Sequence, residues 1–213
     1  MKKPRVLLVD DHVMVLEGFK KLIEHQCEVV GMVEDGRTCL EVAPRLKPDI
    51  VTMDISMPSL NGVDTARWLK QHMPDVKIIF LTMHADVDYV REAFKAGASG
   101  FLMKRSAASE LLQAIHAVSS GKYYVTSLIT KDLVQSILEG APNVWSQREV
   151  LTPRQREVLQ LVAEGSTLKE IASILDVSVK TVEYHKTQIM HQLNLHTTAE
   201  LTKYAIAHGL IPP

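Results

Sequence analysis

Five short apolar runs, four of them stopping on residues able to do chemistry, constrain this chain more than any other feature. The runs are Val6 to Val9, Val29 to Val33, Ile50 to Met53, Ile78 to Leu81 and Gly100 to Met103, all within the first 121 residues. Runs of this length bounded by turn formers read as strands buried on both faces. Between them lie amphipathic segments such as Val15, Phe19, Leu22 and Ile23, set at helical spacing. Strand and helix alternating in this way predict an α/β fold, a parallel doubly wound sheet with right-handed crossovers.

The residues that stop the runs matter next. The first run ends in Asp10-Asp11, the third in Asp54, the fourth in Thr82 and the fifth in Lys104. In an open parallel sheet these positions share the carboxyl edge, where ligands and reacting groups collect. Alone, Asp54 reads better as a helix cap or a solvated loop residue than as a reacting group. Together the five form a chemical unit. Three adjacent carboxylates repel one another unless they hold protons or a cation, and Mg²⁺ with oxygen ligands is the natural solution. A carboxylate can also act as a nucleophile and form an aspartyl phosphate. Lys104 then supplies a point charge for phosphoryl oxygens, and Thr82 a hydroxyl donor. If the Asp10-Asp11 and Asp54 strands adjoin at a switch point, the strand order is 2-1-3-4-5, the flavodoxin-like arrangement. Asp10-Asp11-His12 stands where a nucleotide fold would need a glycine-rich loop, which argues against a Rossmann or Walker site.

Asp10-Asp11, Asp54, Thr82 and Lys104 resemble the motif of two-component receiver domains. The resemblance implies phosphoryl transfer from a sensor histidine kinase to Asp54. It also implies Asp11, Asp54 and the Ser56 main-chain carbonyl as Mg²⁺ ligands with Asp10 assisting, Phe101 as the switch aromatic, and Ser56 and His84 as modulators of phosphoryl lifetime. Arg105 stands where many receivers have proline.

Length and composition admit two small domains: 213 residues, 46% hydrophobic, formal net charge −1. Cys27 and Cys39 have no metal-like spacing, as expected of reduced thiols in a cytoplasmic protein. The N-terminal apolar run is too short for a signal peptide, and no stretch approaches bilayer-crossing length, so no membrane partner is expected. The glycines at 62, 97 and 100 read as turn formers.

The style changes after Gly121. Residues 122–147 read as a linker containing one helix, with Leu133, Val134, Ile137 and Leu138 apolar and a break at Glu139-Gly140-Ala141-Pro142-Asn143. Residues 148–213 read as all-helical. Thr152-Pro153-Arg154-Gln155 carries a cap, an N1 proline and capping-box spacing, and helices follow from Leu168 to Leu175, from Ser178 to Leu193 and from Thr198 to His208. Two helices about a tight turn suggest helix-turn-helix. On the third helix Lys180, Tyr184, Thr187 and His191 lie opposite Val182, Ile189 and Leu193. Such a face suits phosphates and base edges, and it equally suits solvent. Residues 148–213 carry seven Lys/Arg and seven Asp/Glu, so charge does not choose between the two, and a neutral module needs dimerisation for useful DNA affinity.

Leu151-Thr152-Pro153-Arg154-Gln155-Arg156-Glu157-Val158-Leu159, Lys169-Glu170-Ile171-Ala172 and Val179 to His185 are similar to LuxR-type helix-turn-helix domains. A receiver at 1–121 followed by such a four-helix domain resembles a NarL/FixJ-family response regulator, a DNA-binding transcriptional regulator. The resemblance implies base contacts from Glu183, Tyr184 and Thr187, backbone contacts from Lys180, Thr181, His185 and Lys186, and a homodimer through Thr198 to His208 that reads double-stranded promoter DNA. Thr197 stands near the place where many relatives have arginine. An Asp-nucleophile hydrolase would need a second acid two residues after the nucleophile. That position is Ser56, so catalysis beyond phosphoryl transfer and loss at Asp54 itself is not expected.

Overall fold

The structure is a computed structural model and describes residues 3–83, 87–130, 135 and 151–211. The chain divides into two compact units. In the first, β1 (Arg5–Val9), β2 (Glu28–Val33), β3 (Ile50–Asp54), β4 (Lys77–Thr82), β5 (Gly100–Met103) and β6 (Tyr124–Val125) form one sheet in the order β2-β1-β3-β4-β5-β6, every pair parallel. The expected 2-1-3-4-5 core is present. The sixth strand extends it, in the stretch read as linker. Two residues are too short to show a strand's period, so pairing with β5 is what defines them.

Successive strand residues face opposite sides of the sheet, and each side has its own core. Leu7, Val9, Val51, Met53, Ile78, Phe80 and Phe101 pack on one side against α2 (Gly36–Leu46), α3 (Gly62–His72) and α4 (Val87–Lys95). Val6, Leu8, Ile50, Ile79, Leu81 and Leu102 pack on the other against α1 (Val13–Ile23) and α5 (Ala107–Ser119). Each of the fully buried leucines, isoleucines and valines contributes about 1.5–3 kcal/mol by leaving water, which is why near-continuous apolar runs tolerate no polar break until the sheet edge. Cys27 and Cys39 are both free and buried, and burial pushes the Cys39 thiol up to about 12. A thiol held protonated in this way is inert.

The second unit packs four helices, α6 (Pro153–Ala163), α7 (Leu168–Ile174), α8 (Val179–Leu193) and α9 (Thr198–Ala207), around Leu159, Ile171, Val182, Ile189, Leu201 and Ala205. Local chemistry starts each helix. Thr152 with Gln155, Thr167 with Glu170 and Thr197 with Glu200 close capping boxes, and the Ser178 hydroxyl accepts the Thr181 amide. The turn between α7 and α8 is tight because Asp176 adopts a left-handed conformation (φ 50°) and the Val177 amide donates back to the Ala172 carbonyl. The apolar positions of the expected linker helix, Leu133, Val134, Ile137 and Leu138, lie outside the described residues; residues 127–130 are helical. Among the described residues no helix is long and apolar enough to cross a membrane.

Candidate functional site

β3 brings Asp54 to the middle of the sheet's carboxyl edge, and its neighbour β1 runs directly into Asp10 and Asp11. β4 ends on Thr82, paired in register with Met103 at the end of β5. Lys104 therefore leaves β5 at the same edge, as the first residue of a 3₁₀ turn over Lys104–Ser106. Its ammonium lies 2.6 Å from Asp54 Oδ2 and 2.6 Å from Asp10 Oδ2. Asp54 Oδ1 accepts the Ile55 amide at 2.7 Å and the Ser56 amide at 3.4 Å. Asp10 Oδ1 accepts the His12 amide at 3.0 Å.

The sequence-predicted residues thus meet in two ways. Asp10, Asp54 and Lys104 touch directly, Ser56 touches Asp54 through its amide, and Asp11 contacts the His12 ring, with His12 Nδ1 2.8 Å from Asp11 Oδ1. Thr82 joins the same edge as a buried residue of the strand beside Asp54, while Phe101 is enclosed within β5. His84 lies outside the described residues.

Electrostatics follow from the burial of Asp10 and Asp54. Burial pushes the Asp54 carboxyl up, and the Asp10 charge pushes the same way; the Lys104 ammonium and the Ile55 amide pull it back without cancelling the rise. Burial also opposes charge on Lys104, but the Asp54 and Asp10 carboxylates outweigh it and hold the ammonium above its ordinary value. Among the described residues Lys104 is the one lysine or arginine paired with Asp10 and Asp54, with Asp11 following Asp10 at the same edge, so the site is short of positive charge. Asp11 Oδ1 is shielded from solvent and meets the His12 ring nitrogen at 2.8 Å without a well-aligned hydrogen bond to it. The donor atoms of Asp10, Asp11 and His12 all lie within 4.8 Å of one another. A set dominated by carboxylate oxygens fits a hard divalent cation better than a soft one, with His12 the departure from an all-oxygen set.

Sequence reasoning missed two residues here. His12 opens α1 without capping it and turns its ring to the acidic pair instead. Gly62, read as a turn former, has a different reason to be glycine. A Cβ there would stand 2.0 Å from the Asp54 carbonyl oxygen, while the Gly62 amide donates to the Ile55 carbonyl at 2.9 Å. The first residue of α3 is thereby pressed against the phosphoacceptor candidate's own backbone. The Asn61-Gly62 pair signals a turn in any sequence, and only the fold shows the close approach.

In the second unit α8 buries Val182 and Ile189 and exposes Lys180, Glu183, Tyr184 and Thr187, with Thr181, His185 and Lys186 half-buried. Tyr184 is 61% exposed, its ring edge-on to that of His185 at 5.7 Å. Three of the seven candidates already have their side chains engaged: Thr181 Oγ1 lies 2.8 Å from Ser178 Oγ, Lys186 Nζ donates to Thr198 Oγ1 at 3.0 Å, and the Thr187 hydroxyl donates to the Glu183 carbonyl at 2.9 Å.

Comparison with known proteins agrees with both units. Residues 6–116 match the response regulator receiver domain, and residues 149–205 match the bacterial regulatory proteins of the luxR family. The transcriptional regulatory protein MctR of Rhizobium johnstonii is 34% identical over 98% of this chain and 96% of its own. The oxygen regulatory protein NreC of Staphylococcus aureus is 36% identical over 97% of this chain and 99% of its own. Among solved structures, RcsB of Salmonella enterica serovar Typhimurium, bound to a promoter in the presence of a beryllofluoride phosphomimetic, superposes with a TM-score of 0.61 at 30% identity, covering 95% of this chain and 98% of that one. The chain belongs to the NarL/FixJ family of two-component response regulators and joins a receiver domain to a LuxR-type DNA-binding domain.

Proposed function

We propose that Asp54 accepts a phosphoryl group from the phosphohistidine of a sensor kinase, and that this modification controls promoter binding by the second unit. The observation that carries the reading is the Lys104 ammonium held 2.6 Å from both Asp54 and Asp10 in an edge otherwise rich in carboxylates. In the transfer an Asp54 carboxylate oxygen bonds to phosphorus, the P–N bond breaks, and its electron pair returns to the imidazole, leaving an aspartyl phosphate. Lys104 balances charge on the phosphoryl oxygens and Thr82 donates to one of them. Asp11, Asp54 and the Ser56 carbonyl, with Asp10 assisting, would hold Mg²⁺, which when bound offsets the negative charge of both carboxylates and phosphoryl group.

On DNA, Glu183, Tyr184 and Thr187 face base edges, and Lys180, Thr181, His185 and Lys186 face the backbone. Residues 198–208 pair two copies so that two half-sites are read together. Phosphorylation shifts a pre-existing equilibrium toward the DNA-competent form.

The test uses a small-molecule phosphodonor with Mg²⁺ on the native chain and on Asp54→Asn. Intact mass should rise by one phosphoryl group in the native chain alone, and DNA affinity should rise with it. Equal modification of the variant would overturn the assignment of Asp54. Turnover of phosphate esters by the native chain would argue for an enzyme instead.

A further inference from the structure

Lys104 leaves the end of β5 to reach Asp54 on β3, and the route to the second unit begins at β6, the strand beside β5. Between them is a cluster of hydroxyls around one carboxylate. Thr126, fully buried, donates its amide to the Phe101 carbonyl at 2.9 Å and its hydroxyl to Glu110 Oε1 at 3.1 Å. The Tyr124 hydroxyl donates to Glu110 Oε2 at 3.2 Å. The Ser106 hydroxyl, 3.2 Å from Thr126 Oγ1, donates to the carbonyl of Met103, the residue immediately before Lys104. Burial and then the Glu110 charge push the Tyr124 phenol up, so it remains a donor at neutral pH.

Proton counting shows how specific this is. Ser106 and Thr126 own one hydroxyl proton each: with Thr126 donating to Glu110, the Ser106 proton is shared between the Met103 carbonyl at 3.1 Å and Thr126 Oγ1 at 3.2 Å, and Glu110 takes one donor on each oxygen. Glu110 stands in the first turn of α5, and a carboxylate at a helix N-terminus is favoured by the backbone dipole. The end of β5, the Lys104 turn, α5 and β6 are therefore tied at one point, just before the helical residues 127–130.

We propose that Ser106, Glu110, Tyr124 and Thr126 are positioning residues that couple Lys104 to the start of the linker, so that a change of charge at Asp54 is transmitted through this cluster to the DNA-binding unit. The inference rests on the phosphoacceptor reading above. A Lys104 drawn toward a phosphoryl group moves the turn it begins, and the Ser106–Thr126 contact carries that movement into residues 124–126. Because coupling is reciprocal, DNA must in turn tighten the phosphoryl analogue by the same factor.

The experiment measures DNA affinity with and without Mg²⁺ and beryllofluoride, and beryllofluoride affinity with and without DNA, using full-length chain and a duplex that the native chain selects from a random-sequence pool. Thr126→Val and Tyr124→Phe each remove one hydroxyl, and Thr126→Ser restores the first. Expected is beryllofluoride binding unchanged in all variants without DNA, with the coupling factor falling about fivefold or more in Thr126→Val, less in Tyr124→Phe, and recovering in Thr126→Ser. A merely structural role predicts lower thermal stability with the coupling factor intact, and that result overturns the proposal. If Thr126→Val does not fold, Tyr124→Phe decides on the same criterion. Absence of coupling in the native chain overturns the reading that modification of Asp54 controls DNA binding, whereas native coupling that persists in the variants overturns only this inference.

Discussion

Replacing Lys104 by methionine removes the cation that, among the described residues, Asp10 and Asp54 share, while keeping the side chain's length and most of its volume. Each ion pair spans 2.6 Å, and the side chains are only 9% (Lys104), 2% (Asp10) and 7% (Asp54) exposed. At an effective dielectric of about 20, each contact is worth about 6 kcal/mol of gross attraction. Most of that offsets desolvation of three charges, and breaking a buried pair on one side typically costs about 3–5 kcal/mol. Against a usual domain stability of about 5–15 kcal/mol this is a large share. The assay is urea unfolding in EDTA, followed by Trp68 fluorescence in a Trp145→Phe background so that only the receiver reports. The loss should shrink when Asp54 is already asparagine, since one of the two stranded carboxylates is gone. It should also shrink on acidification: removing Lys104 raises the Asp54 value further, so the folded state takes up a proton more readily and the penalty is largest above that value. A loss below about 1 kcal/mol, or the same loss in the native and Asp54→Asn backgrounds, would refute the shared-cation argument.

Gly62→Ala should cost about 3 kcal/mol, at the upper end of overpacking, and weaken beryllofluoride binding, because the new Cβ meets the Asp54 carbonyl at 2.0 Å; an unchanged melting curve would mean the loop gives way freely. Thr52 buries a hydroxyl that has no hydrogen-bond partner among the described residues, so Thr52→Val should stabilise the receiver by about 1 kcal/mol in denaturant titration, and a clear loss would reveal a hidden partner such as water. Glu170 is held below its ordinary value by the Thr167 amide, and Glu200 by the His196 and Thr197 amides. With folded values depressed, their contribution is full above the unfolded glutamate pKa of about 4.3 and is lost as pH falls through the folded value; Glu170→Gln and Glu200→Gln should flatten that acid dependence in circular dichroism. Lys180→Ala should weaken all duplexes alike and reduce the salt slope by about one, whereas Glu183→Ala should change base preference, both read by fluorescence anisotropy.

The features legible from sequence are those whose physics is local. A strand buried on both faces must be written in apolar residues, so Ile50 to Met53 and Ile78 to Leu81 announced themselves, and the polar residues that stopped them marked the sheet edge. The Thr152 cap acts within one helical turn, and it too could be read directly. With the receiver and LuxR-type motifs, these were enough for the fold class, the strand order of the core and the family. Tertiary structure decided what depends on residues far apart in the chain. Lys104 is shared with Asp54, 50 residues away, and Asp10 sits on yet another strand. Gly62 is glycine because of a carbonyl on the far side of a loop, and Tyr124 becomes strand only because β5 offers it an edge. Glu110, Ser106 and Thr126 carry no motif at all. Single hydroxyls and carboxylates are common on any surface, and only packing that excludes water and fixes their distances turns four of them into one hydrogen-bonded unit.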